Sequence, residues 1–119
     1  MEQKNEILEL SFDFALAIVE FSEVLESKRK YVISRQLLKS GTSIGANIRE
    51  AQNAHSRNDF ISKCVIAMKE ADETEYWLLL CEKSPNYPSP DELLLKILSI
   101  KKLLSRIISS SIKNRKNEK

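Results

Sequence analysis

Glycine and proline are scarce in this chain, with two and three among 119 residues. Sheet proteins with many tight turns need more of both, because glycine adopts positive φ and proline initiates turns. Charged residues of both signs make up 30% of the chain, which is typical of a folded domain with a well-solvated surface. The composition favours an all-α protein, and the length favours a single domain over residues 1–119.

Long apolar runs and targeting signals are missing as well. No stretch approaches 18 uninterrupted apolar residues, and the start, MEQKNEILEL, lacks the basic and then apolar pattern of a signal peptide. Cys64 and Cys81 fit no CxxC or zinc-binding spacing and lie on one apolar stripe, where we expect buried, reduced thiols. We therefore expect a cytoplasmic protein that does not associate with membranes.

Groups that carry catalysis are equally few. The single histidine, His55, has no partner in a cysteine–histidine or serine–histidine–acid pattern, and no acid stands three residues before it as in di-iron bundles. No glycine-rich phosphate-binding loop is present. We expect no enzymatic activity, no cofactor and no catalytic or metal-binding residues. The remaining enzymatic alternative is a histidine-free metal site made of Glu50, Glu70 and Glu73.

Apolar residues recur at spacings of three and four in four segments, which is the pattern of amphipathic helices. Four helices with short connections pack most simply as an antiparallel up-down-up-down four-helix bundle. The predicted helices span about 3–26, 31–54, 57–82 and 90–112, and a basic tail follows over 113–119.

Two features of these helices bear on contacts. Leu10, Ala17 and Val24 form a second apolar line on the first helix, which predicts a second contact surface there. The apolar stripe of the second helix keeps its phase across both glycines, which favours one continuous helix. The alternative is that Gly41 breaks it, since an interior glycine costs roughly 1 kcal/mol relative to alanine.

Charge is segregated along the chain. Residues 1–27 carry a net charge of −6, residues 28–49 carry +6 with no acid, residues 50–100 carry −4 and residues 101–119 carry +6. Alternating acidic and basic segments can pair between neighbouring helices of a bundle or between subunits of an oligomer.

Basic residues also align on two helices at spacings of four, seven or fourteen. Such lines can contact the phosphates of a nucleic acid, and the alternative is ordinary surface with salt bridges to the acidic helices. The candidate nucleic-acid-binding residues are Arg35, Lys39 and Arg49 on the second helix and Lys102, Arg106 and Lys113 on the fourth.

An acidic run lies within the third helix, where Glu70, Glu73 and Trp77 share one face. One interpretation is a solvated face. The other is an interface where these acids meet arginine or lysine from the second helix or from another subunit.

Two motifs, QLLKSGTSIGANIREA at 36–51 and KEADETEYWL at 69–78, together with DFI at 59–61, resemble a known bacterial family. The family consists of four-helix-bundle proteins first described as intervening-sequence proteins of 23S ribosomal RNA genes. The resemblance covers nearly the whole chain. It marks a set of motif residues as candidates for an interface: Ser43, Asn47, Glu50, Glu70, Glu73 and Trp77.

The resemblance implies an up-down four-helix bundle that assembles as a ring-shaped homopentamer. It also implies a distant relation to the accessory protein of diversity-generating retroelements, which binds nucleic acid and a reverse transcriptase. It implies no enzymatic activity.

Two functional hypotheses follow. The first is a homo-oligomer that binds RNA or DNA through its basic helix faces, with little base specificity and a steep salt dependence. The second is a scaffold that binds another protein and no nucleic acid, with the basic lines engaged in salt bridges.

Overall fold

Four α-helices make up most of the protein, in a computed structural model that describes residues 5–116. They are α1 (Glu6–Ser27), α2 (Tyr31–Ala51), α3 (Arg57–Lys83) and α4 (Asp91–Lys116). Residues 5–116 contain no β-strand. The predicted all-α class is therefore confirmed.

Consecutive helices run antiparallel, as contacts near the two ends of each pair demonstrate. Between α2 and α3, Lys63 bonds to Glu50 and Thr74 bonds to Ser40. On α1 and α2, Ser22 bonds to Ser34, whereas Gly45 lies against Ser11. Between α3 and α4, Lys101 bonds to Glu75, whereas Arg115 bonds to Asn58. Within residues 5–116, α1 packs on α2, α2 on α3, α3 on α4 and α4 on α1, and the backbones of neither diagonal pair approach within 8 Å between Cα atoms. This arrangement is the predicted up-down-up-down bundle.

The core is a single cluster in the middle of these four helices. It is formed by one apolar stripe from each helix, and the large side chains in it are almost fully buried. The largest are Phe14, Ile18, Leu25, Leu37, Ile44, Ile48, Leu78, Ile97, Ile100 and Leu104.

The start of α1 and the turn after it are fixed by local hydrogen bonds. Asn5 has an extended backbone and its side chain accepts a hydrogen bond from the Leu8 amide at 3.2 Å, so α1 begins at Glu6 and not at residue 3. Arg29 adopts a left-handed conformation with φ of 63°, and the Lys30 amide bonds back to the Leu25 carbonyl at 2.8 Å. The predicted break between the first two helices, before residue 31, is confirmed.

Two predicted helix ends were wrong. α2 ends at Ala51 and not at residue 54, because the amides of Gln52, Asn53 and Ala54 bond to carbonyls three residues earlier and tighten the chain into a turn. α4 continues to Lys116 and not to residue 112. The contact of Arg115 Nη1 with Asn58 Oδ1 at 2.9 Å holds its last turn on α3. Of the predicted basic tail, 113–116 is therefore helical and 117–119 lies outside the described residues.

The starts of α3 and α4 lie at or within one residue of the predicted positions. Ser56 Oγ accepts a hydrogen bond from the Asp59 amide at 3.1 Å, so α3 begins at Arg57 as predicted. α4 begins one residue later than predicted, at Asp91, because the carbonyl of Pro90 accepts the first helical hydrogen bond, from Leu94 at 2.9 Å.

Small residues let α2 approach both of its neighbours closely. Gly41 is buried, and a Cβ atom there would lie 2.8 Å from Cγ1 of Ile18 on α1. On the other side of α2, Thr74 Oγ1 of α3 donates to Ser40 Oγ at 2.9 Å in the core. α2 runs unbroken through both glycines, so the alternative of a break at Gly41 is wrong.

We predict that Gly41→Ala destabilises the protein. The added methyl overpacks against Ile18, which costs roughly 1–3 kcal/mol, and the better helix propensity of alanine returns only about 1 kcal/mol. Urea denaturation should give a free energy of unfolding lowered by up to about 2 kcal/mol. Ala46→Gly on the exposed side of α2 measures the effect of helix propensity alone. A Gly41→Ala protein more stable than the wild type would contradict the close packing.

Candidate nucleic-acid and assembly surfaces

The α2 basic line, Arg35, Lys39 and Arg49, is exposed to solvent. Arg49 lines a hollow of about 200 Å³ together with Phe12 and Ala15 of α1. Because the three cations lie opposite the core-facing stripe of α2, the line forms the outer face of that helix, and Arg49 is its member beside α1.

The α4 basic line, Lys102, Arg106 and Lys113, is exposed as well. Its residues lie opposite the core-facing stripe of α4, so the line forms the outer face of that helix. An open hollow of about 400 Å³ adjoins it and contains Lys101 and Ser105 with the first two members of the line. No acid occurs between Leu93 and Lys116, so this face is uniformly basic.

The two basic lines lie on opposite sides of the bundle, because α2 and α4 are diagonal to each other. One nucleic-acid segment therefore does not contact both lines of a single copy. Within residues 5–115, none of the six candidate residues forms an ion pair. The salt bridges that the scaffold hypothesis gives to these lines are thus not formed among residues 5–115 of one copy.

The acidic run of α3 pairs with α4 instead. Lys101 Nζ lies 2.8 Å from both Asp72 Oδ1 and Glu75 Oε1, and this lysine is about three-quarters shielded from solvent. Hydrogen bonds to Asp72 and then to Glu75 raise the pKa of Lys101 above its usual value. Glu70 and Glu73, which the interface interpretation pairs with cations of α2 or of another subunit and the other interpretation leaves solvated, form no ion pair within the described chain.

The motif residues lie along the junction of α2 and α3 and are exposed or half-buried. Glu50 pairs with Lys63 across the two helices at 3.0 Å, and Trp77 Nε1 donates to Glu73 at 3.1 Å. Ser43 and Asn47 bond back to carbonyls of their own helix. These six residues therefore outline a polar surface outside the core, and its role as an interface stays a prediction.

A groove follows the contact between α1 and α4, which is the least extensive in the bundle. Its main hollow, about 500 Å³, has an apolar floor that includes Phe21, Val24 and Leu93 and an acidic rim. The rim consists of Glu20, Asp91 and Glu92, with Lys96 as one cation. We call this feature the α1–α4 groove. The predicted second line of α1 (Leu10, Ala17, Val24) lines this groove and its smaller continuation.

A second apolar feature of α1 was missed in the sequence. Phe12 and Leu16 are each 53% exposed, and Val19 follows on the same line at 39%. We call these three residues the α1 ridge. The 12, 16, 19 spacing was a detectable signal, but the sequence does not reveal which of several apolar lines the neighbouring helices leave uncovered.

Other classes of site have little support in the described part of the chain. Residues 5–116 bring no three histidine, cysteine or acidic side chains together as metal ligands, so the Glu50, Glu70 and Glu73 alternative is not assembled. No helix there is long and apolar enough to cross a membrane. Both cysteines are free and buried, and burial raises the pKa of the Cys81 thiol to about 11.

The fold and its surfaces define an antiparallel four-helix bundle with two separate basic helix faces and two uncovered apolar features. The model of the 23S rRNA-intervening sequence protein family matches residues 3–108, and the chain belongs to that family. It is similar to a crystal structure of a protein of unknown function from the S23 ribosomal protein family of Bacteroides thetaiotaomicron. The identity is 46%, the TM-score is 0.81, and the match covers 86% of this chain and 97% of the other. No curated protein matches the chain.

We predict that Lys101→Met removes a pH-dependent contribution to stability. The pKa of Lys101 is raised on folding, so its ion pairs stabilise the protein fully below the unfolded pKa of about 10.5 and lose this effect as the pH rises through the folded pKa. We expect a loss of about 1 kcal/mol in the free energy of unfolding near pH 7, shrinking above about pH 10.5.

Lys102→Met is the matched control, because the neighbouring lysine is exposed and forms no ion pair in the described chain. It should change stability by less than about 0.5 kcal/mol. Equal losses for both variants would contradict the role of the Lys101 pairs.

Proposed function

We propose that this protein is a non-enzymatic bundle that assembles with copies of itself and binds RNA through the α4 basic line. The observation that carries the proposal is the outer face of α4. Three exposed cations occur there without an ion pair in the described chain, on a stretch of helix that contains no acid.

The chemistry of this face suits phosphates. Guanidinium and ammonium groups form charge-assisted hydrogen bonds with phosphate oxygens, and the exposed hydroxyls of Ser105 and Ser109 lie beside them on the helix. Lys102 and Lys113 are eleven residues apart, roughly 16 Å along the helix, which is enough to contact several nucleotides. No exposed aromatic residue lies on α4, so we expect contacts to the backbone and little base specificity.

The description of the family refers to an intervening sequence of 23S rRNA, which is the reason for testing RNA first. The self-assembly part is supported by the uncovered α1 ridge and α1–α4 groove, which a single copy leaves exposed. A ring of five copies, which the resemblance implies, belongs to this proposal and is checked by the mass in solution. We place the protein in the cytoplasm, where Cys64 and Cys81 stay reduced.

The test is binding of labelled RNA and DNA oligonucleotides, single- and double-stranded, measured by fluorescence anisotropy at about 50 and 200 mM salt. The variant is Lys102→Gln with Arg106→Gln and Lys113→Gln. We expect its affinity for single-stranded RNA to fall at least tenfold at low salt, and its salt slope to flatten by about 0.7 for each lost phosphate contact.

The control variant is Arg35→Gln with Lys39→Gln and Arg49→Gln, which removes the same charge from the opposite side of the bundle. This control variant should bind RNA as tightly as the wild type does. An equal loss in both variants would contradict the assignment to α4. No binding by the wild type at low salt would overturn the RNA proposal in favour of a protein scaffold, and tighter binding of DNA would replace RNA as the ligand.

A further inference from the structure

The hollow of about 400 Å³ beside the α4 basic line lies between α3 and α4. We call it the α3–α4 hollow. Its lining residues are Met68 of α3 and Leu98, Lys101, Lys102, Ser105 and Arg106 of α4. Apolar side chains and cations therefore border the same space.

Met68 and Leu98 form the apolar wall of this hollow. Leu98 is 45% exposed, and Met68 is half-buried, with part of its side chain packed against the core. A methionine side chain adapts to irregular shapes, and its thioether makes favourable contacts with aromatic rings. The wall is left uncovered by the bundle and suits a flat, apolar group.

Lys102 and Arg106 form the outer edge of the hollow. Both are exposed, and neither forms an ion pair among residues 5–115. Lys101 differs from them, because Asp72 and Glu75 hold its ammonium group at 2.8 Å. No acid of the described chain lines the hollow itself. The outer edge therefore attracts an anion, whereas the α3 side does not.

We infer that the α3–α4 hollow binds an unstacked base of single-stranded RNA, while the phosphates next to that base lie on Lys102 and Arg106. This inference rests on the proposed RNA binding and deepens it, because it names the form of RNA and the group that enters the hollow. Leu98 precedes Lys102 by one helical turn, about 6 Å along the axis. An apolar surface one turn from a cation matches a nucleotide, in which a sugar joins a flat base to a charged phosphate.

The hollow distinguishes single strands from duplexes. In a duplex the bases are paired and stacked inside, so they do not reach a hollow that lies beside the basic line. In a single strand an unstacked base can contact the apolar wall, and the guanidinium plane of Arg106 can stack on it. These contacts use the face of the ring and not its hydrogen-bonding edges, so every base fits and base specificity stays low.

The test compares two ligands of equal charge. One is a labelled decamer of uridine, and the other is the same decamer with its bases removed, which keeps every phosphate. Fluorescence anisotropy at about 50 mM salt measures both affinities. We expect the wild type to bind the intact decamer roughly fivefold more tightly than the abasic one, or better.

The variant is Met68→Gln with Leu98→Ser, which removes the apolar wall without a change of charge. Its affinity for the uridine decamer should fall roughly fivefold. Its affinities for the abasic decamer and for duplex RNA, and its salt slope, should equal those of the wild type, because the phosphate contacts remain.

The matched control is Leu38→Ser. This leucine is exposed to a similar extent as Leu98 but lies on α2, which is diagonal to α4. The control should bind all three ligands as the wild type does. An equal loss of affinity for the uridine decamer in the control and in the double variant would overturn the inference.

Circular dichroism checks the fold of the double variant, since Met68 packs partly against the core. If that variant does not fold, Leu98→Tyr provides the test at an exposed position. Its aromatic ring should tighten binding of the uridine decamer roughly threefold or more and leave the abasic decamer unchanged. An unchanged affinity for the uridine decamer would overturn the inference.

Other outcomes separate this inference from the proposed function. If the wild type binds both decamers equally and releases them with salt, RNA binding through phosphates stands and the base site is overturned. If the double variant keeps the full preference for the intact decamer, the base binds elsewhere and the inference is overturned too. If the wild type binds no RNA at low salt, both the proposed function and the inference fail.

An acidic protein segment is the competing ligand for a hollow with apolar and cationic walls. The probe is a decamer of alternating glutamate and leucine. If the wild type binds this peptide more tightly than the uridine decamer, and the double variant loses that affinity, the hollow serves a protein and the inference is overturned. Weaker binding of the peptide supports the base site.

Discussion

The close approach of α2 to its two neighbours is the constraint on which the rest of the structure depends. Gly41 packs against Ile18 of α1 with no room for a methyl group, and Ser40 bonds to Thr74 of α3 on the other side. A larger residue at either point would separate the helices and open the core. With α2 held between α1 and α3, α4 closes the bundle mainly against α3, and its contact with α1 stays incomplete. The α1–α4 groove is the direct consequence.

The order of the helices around the core places the two basic segments of the sequence on different sides of the bundle. The basic second segment lies beside the α1 ridge, and the basic fourth helix points away from it, because α2 and α4 are diagonal. The two basic segments, which carry the same net charge, thus lie on different surfaces. Asp72 and Glu75 of α3 form ion pairs with Lys101, which lies on the inner edge of α4. The basic residues on the outer face of α4 form no ion pair in the described chain.

Much of the fold could be predicted because each helix carries a continuous apolar stripe, and the stripe of α2 keeps its phase across Gly41. Helix ends were predicted less well where they depend on contacts between distant residues. The last turn of α4 is held by Asn58, which is far away in the sequence. Exposure of the six basic candidates followed from periodicity, but their placement on opposite sides did not, because spacing along one helix carries no information about the position of another. The α1 ridge was missed for the same reason.

Lysine acetylation footprinting with and without RNA tests most directly the central claim that RNA binds to the α4 basic line and not to the α2 basic line. We expect saturating single-stranded RNA to protect Lys102 and Lys113 from modification and to leave Lys39 unchanged, because the two lines lie on opposite sides of the bundle. Protection of Lys39 by RNA, with Lys102 and Lys113 still reactive, would contradict it.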